Sequence, residues 1–496
     1  MNKLSKEKIP NYLIKRTFLT PNRVAVYFQD EVLTFKELHD RAMKMARRLS
    51  SQGVKRGQFT GILLKNSLET IVILCALQLI GVRAVMLNNR LSWEELKWQL
   101  EDSNASFFIT EKSFHVIQSD LVIPTLIKEY MHKLEEVDFH LNDEIDTDEV
   151  CTVMYTSGTT GRPKGVLQSY GNHWWSAIGS ALNMGLTEKD CWLCAVPLFH
   201  ISGYSILMRS LIYGMPIVLH ENFHESEVIK DIFEKKVTIM SVVTTMLMRM
   251  VEQLGEEKLP EHFRCMLLGG GPAPLPLLEM CAEKEIPVYQ TYGMTETASQ
   301  IVTLSPEYSL SKLGSAGKPL FPAQLKIQLP SGEEAVPNEA GEILVKGPNV
   351  TKGYLNRQHE TEEKLKEGWL HTGDIGQLDA EGFLYVLDRR SDLIISGGEN
   401  VYPAEIEAVL LRCEAIVDAG VTGVPDEKWG QVPVAFVVKR ENSSVTESDI
   451  LEFCSSRLAK YKLPKEVHFI EELPRNAARK LLRRKLVDFI TKDDGS

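Results

Sequence analysis

The segment Tyr155-Thr-Ser-Gly-Thr-Thr-Gly-Arg-Pro-Lys-Gly165 packs hydroxyl groups, three glycines and a lysine into one loop. It follows an apolar run over residues 151–155, which predicts a buried strand. Glycines let a backbone approach an anion closely, hydroxyls donate hydrogen bonds to it, and Lys164 supplies a mobile positive charge. The loop therefore predicts a polyphosphate site.

The order of residues in this loop narrows the kind of phosphate site. The loop of kinases and GTPases reads G-x-x-x-x-G-K-[S/T], and the present segment does not fit it, so a Walker-type phosphoryl transferase is not supported. A flexible Ser/Thr/Gly linker is the alternative interpretation. A linker rarely carries the ordered Pro-Lys-Gly ending found here, which favours the phosphate site.

Apolar runs alternate with helix-length segments on both sides of the loop. Thr34-Phe-Lys-Glu37 is a capping-box pattern and predicts a helix that continues until Gly53. A strand over 60–64, a helix over about 68–79 and a strand over 82–87 follow, which together form a βαβ unit. Further apolar runs lie at 216–219, 239–243, 265–268 and 287–290. This alternation predicts an α/β fold of mainly parallel sheets flanked by helices.

The length of the chain and its last hundred residues predict two domains. At 496 residues the chain exceeds the usual domain size of ~100–200 residues. The pattern changes after residue 390, where predicted strands at 415–421 and 432–438 and a helix over 446–459 form a separate α+β set. We therefore expect a large N-terminal domain over residues 1–390 and a small C-terminal domain over residues 391–496.

Charge and cysteine usage exclude several classes of protein. The formal net charge of -11 argues against a nucleic-acid partner. Eight cysteines without paired spacing, and no apolar core of a signal peptide at the N-terminus, predict reduced thiols and a cytoplasmic location. Cys191 and Cys194 lie in an apolar run, which favours core packing over metal or redox chemistry. The longest apolar stretch, 71–82, is shorter than the ~20 residues that a bilayer requires, so no membrane span is expected.

Six further segments accompany the loop and carry a family resemblance. They are Leu268-Gly-Gly-Gly-Pro-Ala273, Tyr292-Gly-Met-Thr-Glu296, Gly341-Glu-Ile-Leu-Val-Lys-Gly347, Gly368-Trp-Leu-His-Thr-Gly-Asp374, Asp388-Arg-Arg-Ser-Asp392 and Ser396-Gly-Gly-Glu-Asn-Val-Tyr-Pro-Ala-Glu405. In order and spacing, the chain resembles the adenylate-forming superfamily of acyl-CoA synthetases, nonribosomal peptide adenylation domains and firefly luciferases over nearly its whole length. The resemblance implies an enzyme that uses ATP and Mg²⁺ to form an acyl-adenylate with release of pyrophosphate. It then transfers the acyl group to a thiol, expected to be that of coenzyme A, and releases AMP.

The resemblance also implies a nucleotide site, residue by residue. The β- and γ-phosphates would be held by Thr156, Ser157, Gly158, Thr159, Thr160, Gly161 and Lys164. The adenine would lie among Gly270, Gly271, Gln290 and Tyr292. Thr295 would reach the α-phosphate, Glu296 would help to hold Mg²⁺, and Asp374 and Arg389 would lie at the ribose. Taken alone, Asp374 has a second interpretation as a turn residue in Thr372-Gly-Asp374.

A lysine and a hinge complete the implied machinery. Lys480 aligns with the family lysine that bridges the carboxylate and the α-phosphate, and it is the predicted main catalytic residue. Its surroundings depart from the usual Pro-Lys-Thr-x-x-Gly-Lys pattern at Asn476 and Arg479, which makes Arg479 the competing candidate. Ser391 falls at the family hinge, about which a mobile small domain would rotate for the second step. The loop of Ser396, Gly397, Gly398 and Glu399 would then replace Lys480 and help to form the channel for the thiol.

The acyl pocket is expected around Arg90, His200, Ser202 and Gly293. His200 would gate or position the reacting carboxylate, and a satisfied core histidine is the alternative. Segments 87–92, 197–203, 267–276, 292–300 and 314–320 are most similar to CoA ligases of menaquinone biosynthesis, whose substrate carries an aromatic ring and two carboxylates. The second carboxylate would need cationic or hydrogen-bonding partners, for which Arg90, His200 and Ser202 are candidates.

Three other functions stay open on the sequence. One is another acyl- or aryl-CoA ligase acting on a fatty or benzoic acid, and a second is a standalone adenylation protein that loads a carrier-protein thiol. A third is a nucleotide-binding module without catalysis, against which the presence of Lys164, Glu296, Asp374, Arg389 and Lys480 argues. The oligomeric state is also open, a homo-oligomer included.

Overall fold

The computed structural model describes residues 8–114, 121–156, 163–270, 275–312, 314–388, 393–441, 443–474, 481 and 483–493. The chain forms two compact units, each built from separated stretches of sequence. The first comprises residues 1–89, 100–154 and 165–387, and the second comprises residues 90–99, 155–164 and 388–496. The boundary predicted at residue 391 lies outside the described residues. Within the described ranges, no helix combines the length and apolarity needed to cross a membrane.

Seven strands form one sheet of the first unit. Their order is Gly353–Tyr354, Lys164–Ser169, Val150–Thr156, Arg83–Met86, Phe59–Leu63, Phe107–Thr110 and Thr125–Ile127. The last five of these strands run parallel to their neighbours, as the βαβ pattern predicted. The parallel strand Val150–Thr156 ends where the predicted phosphate loop begins, at the kind of sheet edge where α/β folds bind ligands.

A larger sheet of fourteen strands contains most of the remaining β-structure. Its order is Gln324–Gln328, Gly341–Lys346, Trp369–Leu378, Leu384–Asp388, Ser315–Pro319, Ser299–Leu304, Val288–Met294, Cys265–Leu268, Ile239–Val242, Trp192–Cys194, Ile217–Leu219, Val24–Phe28 and Glu31–Thr34, with Leu365–Lys366 paired to Trp369–Leu378. The six strands from Val24–Phe28 to Val288–Met294 are parallel. Beyond them the sheet is built of antiparallel pairs. The predicted α/β class is confirmed, and the antiparallel part is an extension that the apolar pattern did not predict. Lys8–Pro10 and Glu144–Asp146 form a separate antiparallel pair.

Helices cover these sheets and supply the core. They are Tyr12–Leu19, Phe35–Ser51, Leu68–Ile80, Tyr170–Met184, Ile201–Tyr213, Glu225–Glu234, Thr244–Leu254, Leu275–Glu283 and Gln358–Lys364. The predicted capping box is present, since Glu37 N donates to Thr34 Oγ1 at 3.2 Å and Thr34 N donates to Glu37 Oε2 at 2.8 Å. Every residue of Leu68–Ile80 except Glu69 is buried, so this helix lies inside the core.

Cys191 and Cys194 lie at the buried strand Trp192–Cys194. Burial raises the pKa of both thiols to about 12. Protonated, inaccessible thiols are poor metal ligands and poor nucleophiles, which supports the packing role predicted for this C-x-x-C pair.

The second unit is a small α+β fold, as the sequence predicted. Its sheet has the order Glu399–Val401, Ile394–Ser396, Gly430–Lys439 and Ile416–Asp426, and Val467–Phe469 pairs parallel with Gly430–Lys439. Its helices are Pro403–Leu410, Glu447–Ser455 and Val487–Asp493, and Trp93–Asp102 begins in this unit. The helix predicted over 446–459 ends four residues early, and Thr446 caps it by accepting from Asp449 N at 3.3 Å.

Candidate active site

The predicted magnesium ligand lies in a tight turn between two strands. Val288–Met294 runs into the 3₁₀ turn Thr295–Thr297, and the chain returns as Ser299–Leu304. Glu296 is buried, and its Oε1 accepts a hydrogen bond from Tyr354 Oη at 3.0 Å. No described cation of the first unit forms an ion pair with Glu296. A buried carboxyl group whose described side-chain partner is one neutral hydroxyl is suited to bind a hard cation such as Mg²⁺, which prefers oxygen ligands and keeps several waters.

The backbone after this turn is held in an unusual conformation. Ala298 and Ser299, neither of them glycine, have φ angles of 52° and 100°. Such positions cost roughly 1–3 kcal/mol each and concentrate at functional sites. Gly293 lies opposite, where an added Cβ would be 2.2 Å from Ser299 O. Gly293 is therefore required by this close approach, which explains the glycine of the Tyr292-Gly-Met-Thr-Glu segment.

Two of the residues predicted to bind the nucleoside are held by a hydrogen bond to each other, and a third has a buried donor without a described partner. Tyr292 Oη donates to Asp374 Oδ2 at 2.8 Å, and both side chains are buried. Asp374 lies inside the ten-residue strand Trp369–Leu378, so its interpretation as a turn residue is wrong. Gln290 Nε2 is buried and has no hydrogen-bond partner among the described residues, as expected for a donor kept for a ligand. Gly270 has a φ of 87°, which an L side chain would strain.

A buried arginine lies beside this turn and was missed by the sequence analysis. Arg209, in the helix Ile201–Tyr213, is 1% exposed. Its Nη1 lies 3.3 Å from Ser205 Oγ and its Nη2 lies 3.4 Å from Ser299 Oγ. Among the described residues its Nε has no hydrogen-bond partner, and no described carboxylate of the first unit forms an ion pair with it. A guanidinium that is desolvated without an acid is suited to bind an anionic ligand group.

Two predicted acyl-pocket residues begin the helix that carries this arginine. His200 is the N-cap residue of Ile201–Tyr213, is half-buried, and packs its ring 4.6 Å from that of Phe199. Ser202 is exposed, and its carbonyl accepts from Ser205 Oγ at 3.1 Å. Ser205 therefore connects Ser202 to the Arg209 cluster. One signal in the sequence could have revealed Arg209, because it is the single charged residue of a helix that is otherwise apolar or weakly polar.

In the second unit, the predicted thiol-channel loop is a tight hairpin. Ile394–Ser396 pairs with Glu399–Val401, and the connecting Gly397 and Gly398 have φ angles of 56° and 84°. Positive φ at both central residues is the requirement of a type I′ turn, which glycine meets without strain. Glu399 is buried and pairs with Arg90, since Nη1 and Oε1 are 3.0 Å apart. The structure thus brings together two residues that the sequence assigned to different parts of the site. Whether Arg90 also contacts an acid substrate stays a prediction.

Thr156 ends one strand and Lys164 begins the next, on either side of the predicted phosphate loop. Ten other predicted or competing site residues lie outside the described part of the chain: Ser157, Gly158, Thr159, Thr160, Gly161, Gly271, Arg389, Ser391, Arg479 and Lys480. Their roles stay predictions, including the assignment of the catalytic lysine.

Comparison with known proteins agrees with this arrangement. The AMP-binding enzyme model matches residues 15–355, and the AMP-binding enzyme C-terminal domain model matches residues 405–480. A 2-succinylbenzoate–CoA ligase from Geobacillus kaustophilus is 59% identical over 487 residues, which cover 98% of this chain and 99% of that protein. A double mutant of o-succinylbenzoate CoA synthetase from Bacillus subtilis, solved with its product analogue OSB-NCoA, is 51% identical with a TM-score of 0.94 and covers 97% and 99% of the two chains. The Bacillus subtilis synthetase solved with ATP and a magnesium ion is 50% identical with a TM-score of 0.77 and covers 97% and 100% of the two chains.

Proposed function

Because the chain belongs to the AMP-binding enzyme family, we propose that it is an ATP-dependent 2-succinylbenzoate–CoA ligase of menaquinone biosynthesis. The observation that carries the proposal is its 59% identity to such a ligase over nearly the full length of both proteins. In the first half-reaction, one carboxylate attacks the α-phosphorus of ATP, and pyrophosphate leaves. In the second, the thiol of coenzyme A attacks the acyl carbon, a thioester forms, and AMP leaves.

The residues of the Thr295 turn fit the first half-reaction. Glu296 would hold Mg²⁺, which when bound neutralises charge on the phosphate oxygens and stabilises the leaving pyrophosphate. Asp374, oriented by Tyr292, would accept hydrogen bonds from the ribose hydroxyls. Lys480 would contribute the cation between the carboxylate and the α-phosphate. These groups act through position and charge, since phosphoryl-type transfer asks little covalent chemistry of the protein.

The second carboxylate of the substrate requires a partner that the motifs alone did not identify. Arg209 fits this role better than Arg90, because Arg90 is already paired with Glu399 whereas Arg209 is buried beside two serine hydroxyls. A charged carboxylate enters a buried pocket only if a cation or donors replace its water. We assign Arg209, held by Ser205 and Ser299, as the group that binds the non-reacting carboxylate.

Pyrophosphate release with ATP, Mg²⁺ and coenzyme A tests the function over a panel of 2-succinylbenzoate, benzoate, a medium-chain fatty acid and no acid. We expect turnover with 2-succinylbenzoate alone, together with its CoA thioester in mass spectrometry. Turnover with another acid would keep the ligase and overturn the substrate assignment. Acyl-adenylate that accumulates and passes only to a carrier-protein thiol would overturn the CoA assignment.

A further inference from the structure

Gln168 lies directly behind the catalytic turn, and nothing above uses it. It belongs to the strand Lys164–Ser169, which follows the predicted phosphate loop, and its side chain is completely buried. Its Nε2 donates to Thr295 O at 2.7 Å. Thr295 carries the predicted α-phosphate contact and precedes the predicted magnesium ligand Glu296. The amide of Gln168 therefore fixes the backbone at the start of the turn.

The oxygen of the Gln168 amide is held by a chain of buried hydrogen bonds in which each donor and each acceptor can be assigned in only one way. Thr295 O can only accept, so Gln168 must present its nitrogen to it and its Oε1 away from it. Oε1 lies 3.1 Å from Thr152 Oγ1, which must donate its single proton there. His173 Nε2 lies 3.2 Å from the same hydroxyl and must therefore carry a proton and donate it. Burial lowers the pKa of His173 to about 3, so the ring is neutral and has one such N–H.

The same turn is tied a second time to the neighbouring strand. Thr351 N donates to Glu296 O at 2.7 Å, and Tyr354 Oη donates to Glu296 Oε1 at 3.0 Å. Tyr354 lies in the strand that pairs with Lys164–Ser169, opposite Val166. One anchor of the turn thus lies on the strand that leaves the phosphate loop, and the other lies on the segment paired with that strand. A displacement of this strand would be transmitted to the Thr295 carbonyl and the Glu296 carboxylate together.

We propose that Gln168 is a positioning residue for adenylation, which holds the Thr295–Glu296 turn in register with the strand after the phosphate loop. The proposal rests on the ligase function given above. Gln168 touches no substrate, and it acts through the carbonyl of Thr295. Misplacement of a reacting group by about 1 Å can cost about 100-fold in rate. We therefore expect Gln168→Met, which keeps length but loses both hydrogen bonds, to lower kcat for pyrophosphate release by about 10- to 100-fold.

The test separates positioning from loss of structure by comparing the two half-reactions. ATP and 2-succinylbenzoate report the first, and synthetic acyl-adenylate with coenzyme A reports the second. For Q168M we expect the first to fall as stated, with the KM for the acid and the rate of the second half-reaction within about threefold of the wild type.

A matched variant controls for the loss of any buried glutamine. Gln78 is also buried, and its Nε2 donates to Tyr204 Oη at 3.0 Å, with no contact to the turn. Q78M should leave the ratio of the two half-reactions unchanged. An equal fall in both half-reactions for Q168M, or no fall in either, would overturn the proposal.

A second variant keeps the proposal testable if Q168M does not fold. T152V removes the donor to Gln168 Oε1, together with the acceptor of the His173 N–H, and should slow the first half-reaction by about 3- to 10-fold while the second is kept. A T152V enzyme that adenylates at the wild-type rate would overturn the proposal. Failure of the wild type to form the thioester would instead refute the function, so the two failures are distinguishable.

Discussion

The assignment of Arg209 to the second carboxylate makes a quantitative prediction. In Arg209→Met, the side-chain volume is roughly kept while the cation and its donors are lost. Truncating one partner of a buried, hydrogen-bonded charge pair costs about 2–4 kcal/mol. At 1.4 kcal/mol per factor of ten, kcat/KM for 2-succinylbenzoate should fall about 30- to 700-fold. Coupled detection of pyrophosphate measures this fall over a range of substrate concentrations.

The specificity of the loss distinguishes recognition from damage. Two monocarboxylate analogues of the substrate can be made, each lacking one of its two carboxylates. The analogue that keeps the reacting carboxylate has no group for Arg209 to bind, so R209M should use it as well as the wild type does. The reasoning would be refuted if R209M kept the wild-type preference for the dicarboxylate over both analogues. It would also be refuted if R209M lost activity toward the analogue that the wild type uses to the same extent as toward the dicarboxylate.

Stability should change in the opposite direction to activity. Arg209 is buried without an acid in the described part of the first unit, so replacing it with an apolar side chain removes a desolvated charge. We expect the Tm of R209M without ligand to equal or exceed that of the wild type. Arg264 provides the matched control, because its Nη2 pairs with buried Asp190 at 2.6 Å. R264M should lower the Tm and leave the substrate preference unchanged.

Three further outcomes follow from the geometry of the first unit. Glu296→Gln keeps an oxygen that can accept from Tyr354 but loses the negative charge that would bind Mg²⁺. The rate of pyrophosphate release should therefore fall about 100- to 1,000-fold and recover in part at a raised Mg²⁺ concentration. An unchanged Mg²⁺ dependence would contradict this role. Tyr292→Phe removes the donor to Asp374, at about 1 kcal/mol, and should raise the KM for ATP about fivefold without changing that for the acid, as measured by titration of each substrate. Burial, together with the charge of Arg209, lowers the pKa of His173 from 6.5 to about 3. As the pH drops below 6.5, the unfolded chain therefore binds a proton at His173 that the folded protein does not bind. The free energy of unfolding should fall by up to about 1.4 kcal/mol per pH unit in this range. Denaturant midpoints over pH 4–7 should show a shallower slope for His173→Gln, and identical slopes would refute the contribution.

Local sequence patterns correctly predicted the elements that are determined by contacts between residues close together in sequence. The capping box at Thr34 and the apolar helix Leu68–Ile80 were placed within a few residues, because a helix is decided by contacts three and four residues apart. The strand Trp369–Leu378 was not predicted, since Gly373 and Asp374 disfavour strands by propensity. Its pairing with Gly341–Lys346 overrides that preference, and such non-local pairing leaves little trace in one segment.

The candidate site divides in the same way. Glu296, Asp374 and Tyr292 lie in short segments whose residue order is informative, and the structure gives each a buried, hydrogen-bonded position. Gln168 and Arg209 act through partners more than 80 residues away in sequence, Thr295 and Ser299. Neither has a motif of its own, so only the folded structure reveals which groups face them.

Charge pairing inside the protein provides a reason to treat Arg209 as functional. Lys462 is buried in the second unit between Glu95 and Glu405, at 2.6 and 2.7 Å, and Arg264 is satisfied by Asp190. These two cations form ion pairs with carboxylates of the protein, so no ligand is needed to stabilise their charge. Within the described ranges, the partners of Arg209 are hydroxyl groups and the Trp192 ring, whose centre is 5.1 Å from its Cζ. Arg16 is also buried without an acid among the described residues, but it donates to the backbone carbonyls of Leu211 and Ile212. Arg209 is held by hydroxyl groups instead, so it retains a desolvation cost that an anionic substrate group would offset on binding, and we expect this difference between free and bound protein to favour the dicarboxylate as ligand.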